Sequence, residues 1–511
     1  MNALTPQHLI AVIGAGAMGS GIAQVALDAG HRVVLYDAAP AALERGAAAI
    51  DGAYRRLLEK GTIDAATHGA RMARLQRAGS LDDLAGAALV IEAIVENLET
   101  KATLLREVEA RVGEDAIIAT NTSSLSVTAI GARLRRPGQV AGLHFFNPAP
   151  VLPLVEIVSG KATLPVVADT LFATARAWGK TPVRCASTPG FIVNRVARPF
   201  YGEALRLLSE RAADPATLDA ILRDCGGFRM GPFELMDMIG HDVNYAVTAS
   251  VYEAMSQDPR YQPSLLQKEL VDAGWLGRKS GRGFHDYAAD AVRPTSRTAA
   301  PAPAPAQVAI EGELGAASAL ARLARDAGLA VSQIGGDAGR LRIDGVTLAM
   351  TDGRSATQRL AEGDGVAVVF DLALDYAAAG TIAIAAADGA PAGALETAAG
   401  FFQALGKQVI VIDDAPGLVV MRTVAMLANE AADVVQQGVA SAADADLAMT
   451  KGVNYPRGPL AWADAITPAL VRRVLANLAA TYGEDRYRSA PLLLRRAQTG
   501  QPFHARQEAP Q

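Results

Sequence analysis

Cysteine is nearly absent: Cys185 and Cys225 are the only two among 511 residues. A disulfide framework and a cysteine-ligated zinc site are therefore not expected, and no metal is implied. Basic clusters are missing too, and a net charge of -5 argues against nucleic acid as a partner. No apolar run is long enough to read as a membrane span, because the alanine-rich stretches are broken by Asp, Glu and Gly. The opening "MNALTPQHLIAVIGAG" has no charged segment followed by an apolar one, so no membrane association and a cytoplasmic location are expected. Residues 308 to 400 contain no His, Lys or Cys, which leaves that stretch without obvious catalytic equipment. What is present, 50% hydrophobic and 20% charged residues, suits a soluble globular chain of about three to four domains.

Glycine is concentrated where it carries meaning. "HLIAVIGAGAMGSGIAQVALDAG" reads as a buried strand ending at Ile13, then Gly14-x-Gly16-x-x-Gly19, then a helix to about Ala29. "HRVVLYD" follows as a second strand ending at Asp37, which completes a strand-helix-strand unit. Gly14 permits the turn, Gly16 lets the backbone approach a pyrophosphate, and Gly19 allows close packing at the start of an anion-favouring helix. Asp37 can accept hydrogen bonds from an adenosine ribose and repels a 2'-phosphate, so NAD is expected rather than NADP. Further strands, "AALVIEAIVE" and "AIIATNTSSLSV", flank the helical "NLETKATLLREVEARV" in a doubly wound pattern. Glu92, Glu96, Lys101, Asn121, Ser123 and Ser124 fall at or beyond the carboxyl ends of these strands, where such sheets bind ligands. Spacing alone leaves two readings open for Lys101 (site or solvated helix residue) and for Ser123 (site or helix cap).

"HFFNPAPVLPLVEIV", residues 144 to 158, places one histidine and one carboxylate in apolar surroundings. A buried carboxylate is costly without a partner. The turn at Asn147-Pro148-Ala149-Pro150 can fold the second strand back beside the first, pairing His144 with Glu156 as a general acid/base. The alternative is a strand cap at His144 with Glu156 on an exposed sheet face.

In this order, "IGAGAMGSGIA", "EAIVENLETK", "NTSSLSV", "HFFNPAPVLPLVEIV", "STPGFIVNRV" and "GGFRMGPFELMDMIG" resemble the 3-hydroxyacyl-CoA dehydrogenase family, over roughly residues 8 to 287. The resemblance implies an NAD-dependent oxidoreductase acting on a 3-hydroxyacyl-CoA. His144 and Glu156 match the catalytic pair, and Ser123 and Asn194 match substrate-contacting polar residues. Gly14, Gly16, Met18, Gly19, Asp37, Glu96, Lys101, Ser123 and Asn147 fall at cofactor positions. Lys60 matches a lysine that meets the CoA moiety. Ala53 departs from the family's serine on the same helix, where Arg55 or Arg56 could compensate.

After "GRKSGRGFHDY" the composition shifts to "AAPAPAPA", an extended, semi-rigid linker. Beyond it the chain repeats itself. "AWGKTPVRCASTPGFIVNRV" is echoed by "ALGKQVIVIDDAPGLVVMRT", and Gly179/Gly406, Pro189/Pro416, Glu203/Glu430 and Asp237/Asp464 share one offset. Met421 stands in place of Asn194, and no second His/Glu pair precedes it, so the second copy is expected to be structural.

The expected architecture is α/β. It comprises a Rossmann-like doubly wound domain (residues 1–186), an all-α domain (187–290), a Pro/Ala linker (291–307), a small α/β domain without a cofactor motif (308–412) and a degenerate all-α copy (413–511). The two-copy form resembles the long bacterial members associated with phenylacetate breakdown. It implies 3-hydroxyadipyl-CoA or 3-hydroxybutyryl-CoA as substrate and an internal pseudo-dimer of helical domains, with further homo-oligomerisation open. Rival readings are a gulonate-type hydroxy-acid dehydrogenase and an inert, crystallin-like structural protein.

Overall fold

A computed structural model describes residues 2–292 and 294–504; Met1, Arg293 in the expected linker and the last residues of the expected final domain lie outside it. The chain divides into two compact units. One comprises Met1–Arg195 with Gln437–Val453, the other Val196–Gln436 with Asn454–Gln511. No helix of the described residues is long and apolar enough to cross a membrane.

The first unit is built on an eight-stranded sheet. Its strands are β1 (Leu9–Ile13), β2 (Val33–Tyr36), β3 (Leu75–Arg77), β4 (Ala87–Glu92), β5 (Ile117–Thr120), β6 (Val140–Phe145), β7 (Leu154–Ser159) and β8 (Thr181–Ala186), in the order β3-β2-β1-β4-β5-β6-β7-β8. All pairings are parallel except β6 with β7. Strands β1, β4 and β5 are runs of Ile, Val, Leu and Ala, broken only by Glu92 and Thr120 at their ends, because a parallel sheet is covered on both faces. Helix α1 (Ala17–Asp28) lies against helix α2 (Pro40–Glu59) on one face, and α3 (Leu98–Glu109) and α4 (Pro165–Ala177) follow in the chain. The first stretch of this unit ends within the short helix α5 (Val193–Val196).

The second unit holds a seven-stranded mixed sheet and most of the helices. It begins with α6 (Arg198–Ser209). The sheet strands are β9 (Gln307–Glu311), β10 (Ala330–Ile334), β11 (Arg340–Ile343), β12 (Val346–Met350), β13 (Val368–Phe370), β14 (Thr381–Ala386) and β15 (Gln408–Val411), in the order β10-β9-β11-β12-β13-β14-β15. The Pro/Ala segment is extended, as its composition predicts, and it is also packed: Ala299 N donates to Val409 O, Ala302 N donates to Gln403 Oε1, and a Cβ on Gly400 would lie 2.0 Å from Pro303 O.

The repeat runs further back than the sequence comparison reached. Lys180 Nζ donates to the carbonyls of Ala149 and Leu152, and Lys407 Nζ, 227 residues on, donates to those of Tyr376 and Ala379 at the same offset. Strands β13 and β14 pair antiparallel in the register of β6 and β7. Gly190 and Gly417 have φ of 74° and 75°, and the next residues, Phe191 and Leu418, have 48° and 50°. A positive φ is strained for bulky residues. It recurs in both copies, so it belongs to the strand-to-helix turn itself.

The helix that follows α7 (Val420–Gln436), α8 (Ala442–Gly452), packs on β7 and β8 in the first unit. Its counterpart in the first copy, the helical stretch ending in the π-turn Ile221–Cys225, packs on β14 in the second.

Candidate active site

Strand β6 ends and β7 begins around the turn at residues 147–150, and the register sets His144 directly opposite Glu156. Residues directly opposite on an antiparallel pair share a face. His144 Nδ1 lies 2.7 Å from Glu156 Oε2, with the two residues 5% and 1% exposed. The other carboxylate oxygen, Oε1, accepts the backbone N–H groups of Ile192 and Val193 at 3.1 and 3.0 Å. Glu156 thus joins β7 to the turn carrying Asn194, and this bond set was not foreseen from sequence. The rings of Phe146 and Phe191 flank the imidazole at 4.5 and 5.8 Å between centroids. A carboxylate accepts and does not donate, so the Nδ1 proton points at Glu156 and Nε2 is left with its lone pair.

The glycine turn has the geometry expected of a pyrophosphate cradle. Gly14 has φ 98°, and a Cβ there would lie 2.5 Å from Ala93 O; a Cβ on Gly19 would lie 1.7 Å from Gly14 O. In front of Gly16, by contrast, a Cβ would meet nothing within 4 Å, and no side chain caps the α1 N-terminus. Open space before free helix N–H groups suits a pyrophosphate. Met18 packs at the rim of the core below. Asp37 ends just past β2, its Oδ2 accepting from Ala15 N at 2.8 Å and its Oδ1 from Ala39 N at 2.9 Å.

At the ends of β4 and β5 a charged network is buried. Lys101, 1% exposed, donates to Glu92 Oε1 at 2.6 Å and lies 3.3 Å from Glu96 Oε2. Glu92 Oε2 accepts from Thr120 Oγ1. Glu96 Oε1 accepts from Thr122 Oγ1 at 2.6 Å and from the backbone N–H groups of Ser123 and Ser124 at 3.0 and 3.1 Å. Burial pushes the Glu96 carboxyl up, but the bonds from Thr122 and the Lys101 charge outweigh it, and its pKa falls below the ordinary value. The backbone of Ser123 is thereby pinned, and no side-chain bond among the described residues engages its hydroxyl. Asn121 Oδ1 accepts from Phe145 N at 2.8 Å, tying β5 to the residue after His144. Asn194 is half-buried in α5.

A cleft of about 830 Å³ runs between α1, α2 and the turn at 147–151. Ala53, Arg56 and Lys60 line it, as do Asn147 and Arg45. Arg55 pairs with Asp51 at 2.6 Å and does not line the cleft, so of the two arginines only Arg56 faces it. Arg45, Ala49, Ala53, Arg56 and Lys60 follow helical spacing along one face, a signal that the sequence held and that was not read for Arg45.

Comparison with known proteins identifies a family. Residues 9–188 match the model of the 3-hydroxyacyl-CoA dehydrogenase NAD binding domain, residues 190–287 and 417–508 both match its C-terminal domain, and residues 348–416 match the 3-hydroxybutyryl-CoA dehydrogenase reduced Rossmann-fold domain. The 3-hydroxyadipyl-CoA dehydrogenase of Escherichia coli K12 is 46% identical over 96% of this chain and 97% of its own. Human mitochondrial hydroxyacyl-coenzyme A dehydrogenase is 38% identical, covering 54% of this chain and 90% of its own. The crystal structure of an E. coli K12 3-hydroxybutyryl-CoA dehydrogenase superposes with a TM-score of 0.88 at 43% identity, covering 98% of this chain and 99% of that one.

Proposed function

The chain belongs to the 3-hydroxyacyl-CoA dehydrogenase family and is an NAD-dependent oxidoreductase, and within that activity we propose that His144 is the general base, held by Glu156. The observation that carries this reading is the buried 2.7 Å contact between His144 Nδ1 and Glu156 Oε2. It leaves Nε2 as the only imidazole atom able to take a proton. In the oxidation the C3–H bond breaks and its electron pair leaves as hydride, for which NAD, when bound, is the acceptor. The O–H proton of the 3-hydroxyl passes to Nε2 of His144, and the carbonyl forms between C3 and that oxygen. Glu156 balances the resulting imidazolium. Ser123 and Asn194 hydrogen-bond the substrate oxygens and fix C3 against the hydride acceptor. Glu96 and Lys101 set the Ser123 loop, and Gly14, Gly16, Met18, Gly19, Asp37 and Asn147 hold the cofactor. Lys60 and Arg56 take phosphates of the CoA nucleotide, Arg56 standing in for the serine that Ala53 replaces.

For the acyl group we propose 3-hydroxyadipyl ahead of 3-hydroxybutyryl: of the two E. coli chains that span nearly the whole of this one, that with 46% identity carries the former name and that with 43% identity the latter. Steady-state rates on both CoA thioesters, with gulonate as a control, test this. A higher kcat/KM for the butyryl substrate reverses the order, and turnover of gulonate alone overturns the reading.

We also propose that the two helical copies form a pseudo-dimer within one chain. Self-complementary interfaces exchange contacts reciprocally, and these copies do so. Glu203 accepts from Arg486 and Tyr487, whereas its counterpart Glu430 accepts from Arg260 and Tyr261. Ala186 N donates to Val439 O, and Asp413 N, 227 residues after Ala186, donates to Ala212 O, 227 before Val439. Arg195 donates to Gln437, and Arg422 to Glu210.

A further inference from the structure

The segment Gln437–Val453 comes from the second copy yet is part of the first unit. Contacts along its length hold it there. Ala186 N at the end of β8 donates to Val439 O at 2.8 Å, Arg195 Nη1 donates to Gln437 Oε1 at 2.8 Å, and α8 lays Ala445, Ala448 and Met449, all 0% exposed, toward the sheet. At its far end the helix closes on Gly452. A Cβ on that residue would lie 2.5 Å from Leu154 Cδ2 and 3.2 Å from Val193 Cγ2.

These two neighbours are not arbitrary. Leu154 opens β7 two residues before Glu156, and it is fully buried, so in a closely packed interior a shift of its methyl group is passed to its neighbours. Val193 N donates to Glu156 Oε1, and Val193 directly precedes Asn194. The end of α8 therefore presses on both sides of the carboxylate that orients His144. In the other copy the equivalent positions hold Cys225 and Thr381, a larger residue than Gly452 and a smaller one than Leu154.

We propose that Gly452 is a positioning residue for the dehydrogenase reaction, through which the second copy sets the Glu156–Val193–Asn194 turn of the first. The proposal rests on the assignment of His144, Glu156 and Asn194 above. Gly452 has no positive φ, and within a helix alanine is favoured over glycine by about 0.8–1 kcal/mol. Helix propensity therefore predicts that Gly452→Ala is harmless or stabilising, and the steric argument predicts the opposite for catalysis.

The test uses the full chain, with kcat, KM, NAD affinity and Tm measured for Gly452→Ala, for Leu154→Ala and for the double variant. The expected result is a fall in kcat of roughly ten- to a hundredfold for Gly452→Ala, the scale of a small misplacement of reacting groups. NAD affinity should not change, since the glycine turn and Asp37 are untouched. Adding Leu154→Ala should restore most of the lost kcat by removing the methyl group that the new Cβ meets. Wild-type kcat in Gly452→Ala, or a loss that the second substitution does not recover, overturns the proposal. A crystal structure of Gly452→Ala in which the His144–Glu156 and Glu156–Val193 bonds keep their lengths overturns it whatever the activity. A wild-type chain that turns over no 3-hydroxyacyl-CoA would instead count against the functional assignment.

Discussion

Two strand pairs in this molecule, β6 with β7 and β13 with β14, share a register, a following strand and a following helix, yet only one has the parts of an acid/base site. At the position of His144 the second copy has Asp371, and at the position of Glu156 it has Ala383. Both copies use a buried carboxylate to meet the backbone N–H groups at the start of the next helix. Glu156 does so for Ile192 and Val193 from the second strand of its pair. Asp371 does so for Val419, Val420 and Met421 from the end of the first strand, at the position that His144 holds in the other copy. Satisfying the helix start is thus a requirement of the fold, since buried N–H groups must be paired. Placing that carboxylate on the opposite strand leaves room for a histidine that the same carboxylate can orient.

The largest contrast to break is at these two positions. His144→Gln should lower kcat by about 10² to 10⁴, the usual worth of general acid/base catalysis, with NAD affinity unchanged. Retention of nearly full kcat would remove His144 from the mechanism. One step smaller is the comparison of Asn194 with Met421. Asn194→Ala should lower kcat by roughly tenfold or more through loosened substrate orientation, while Met421→Ala, at a fully buried position of the other copy, should cost stability and leave kcat alone. A folded Met421 variant with impaired turnover would give the second copy a direct part in the chemistry.

Much of this contrast was legible in the sequence, and the reasons are local. The glycine turn, Asp37 and the pairing of His144 with Glu156 lie within short segments whose turns and periodicity announce them. Met421 was found because the repeat keeps its register there. Asp371 was not, because the strands around it hold no shared polar residue to align, and the register emerges from the matching strand pairing and the matching contacts of Lys180 and Lys407. Lys101 could equally have been a solvated helix residue; its burial depends on Glu92, nine positions away on a different element. The seat of α8 on β7 and β8 was beyond reading, since an exchange between copies leaves no local pattern. The choice between Arg55 and Arg56 was within reach, because Asp51 stands four residues before Arg55 on the same helix.

The cleft sharpens the comparison further, because residues 308 to 400 of the second copy contain no lysine and no glycine motif to build one. Arg56→Ala should raise KM for a CoA thioester by up to roughly fivefold, the worth of one exposed ion pair of about 1 kcal/mol, and the effect should shrink as salt is raised. KM for the corresponding pantetheine thioester, which has no nucleotide phosphates, should not respond. Equal effects on both substrates would place Arg56 outside nucleotide recognition.

The smallest effect is expected from Asp371 itself, and its sign separates a structural carboxylate from a catalytic one. Burial pushes the Asp371 carboxyl up to about 6, in spite of the backbone N–H groups of Met421, Val420, Val419 and Leu372 that it accepts. A carboxyl whose folded pKa is raised binds its proton more tightly in the native state than in the unfolded chain. Its contribution to stability therefore declines as pH rises from about 4 to about 6 and is level above that. Glu203 acts with the opposite sign. Burial raises it, but Arg486 and Arg422 outweigh that and hold it at about 2, so its contribution is lost only as pH falls below the ordinary carboxylate value of 4.5. A single melting curve mixes the two, so the informative quantity is the Tm difference between the wild type and Asp371→Asn, in which Glu203 cancels. Asparagine keeps an acceptor for the helix start and cannot ionise. The advantage of the wild type over the variant should shrink between pH 4 and pH 6 and stay constant to pH 8, with kcat at neutral pH unchanged. A difference that is flat across this range would mean that Asp371 stays ionised throughout, stabilised by its four backbone donors. A loss of kcat in this variant would return the second strand pair to the catalytic site.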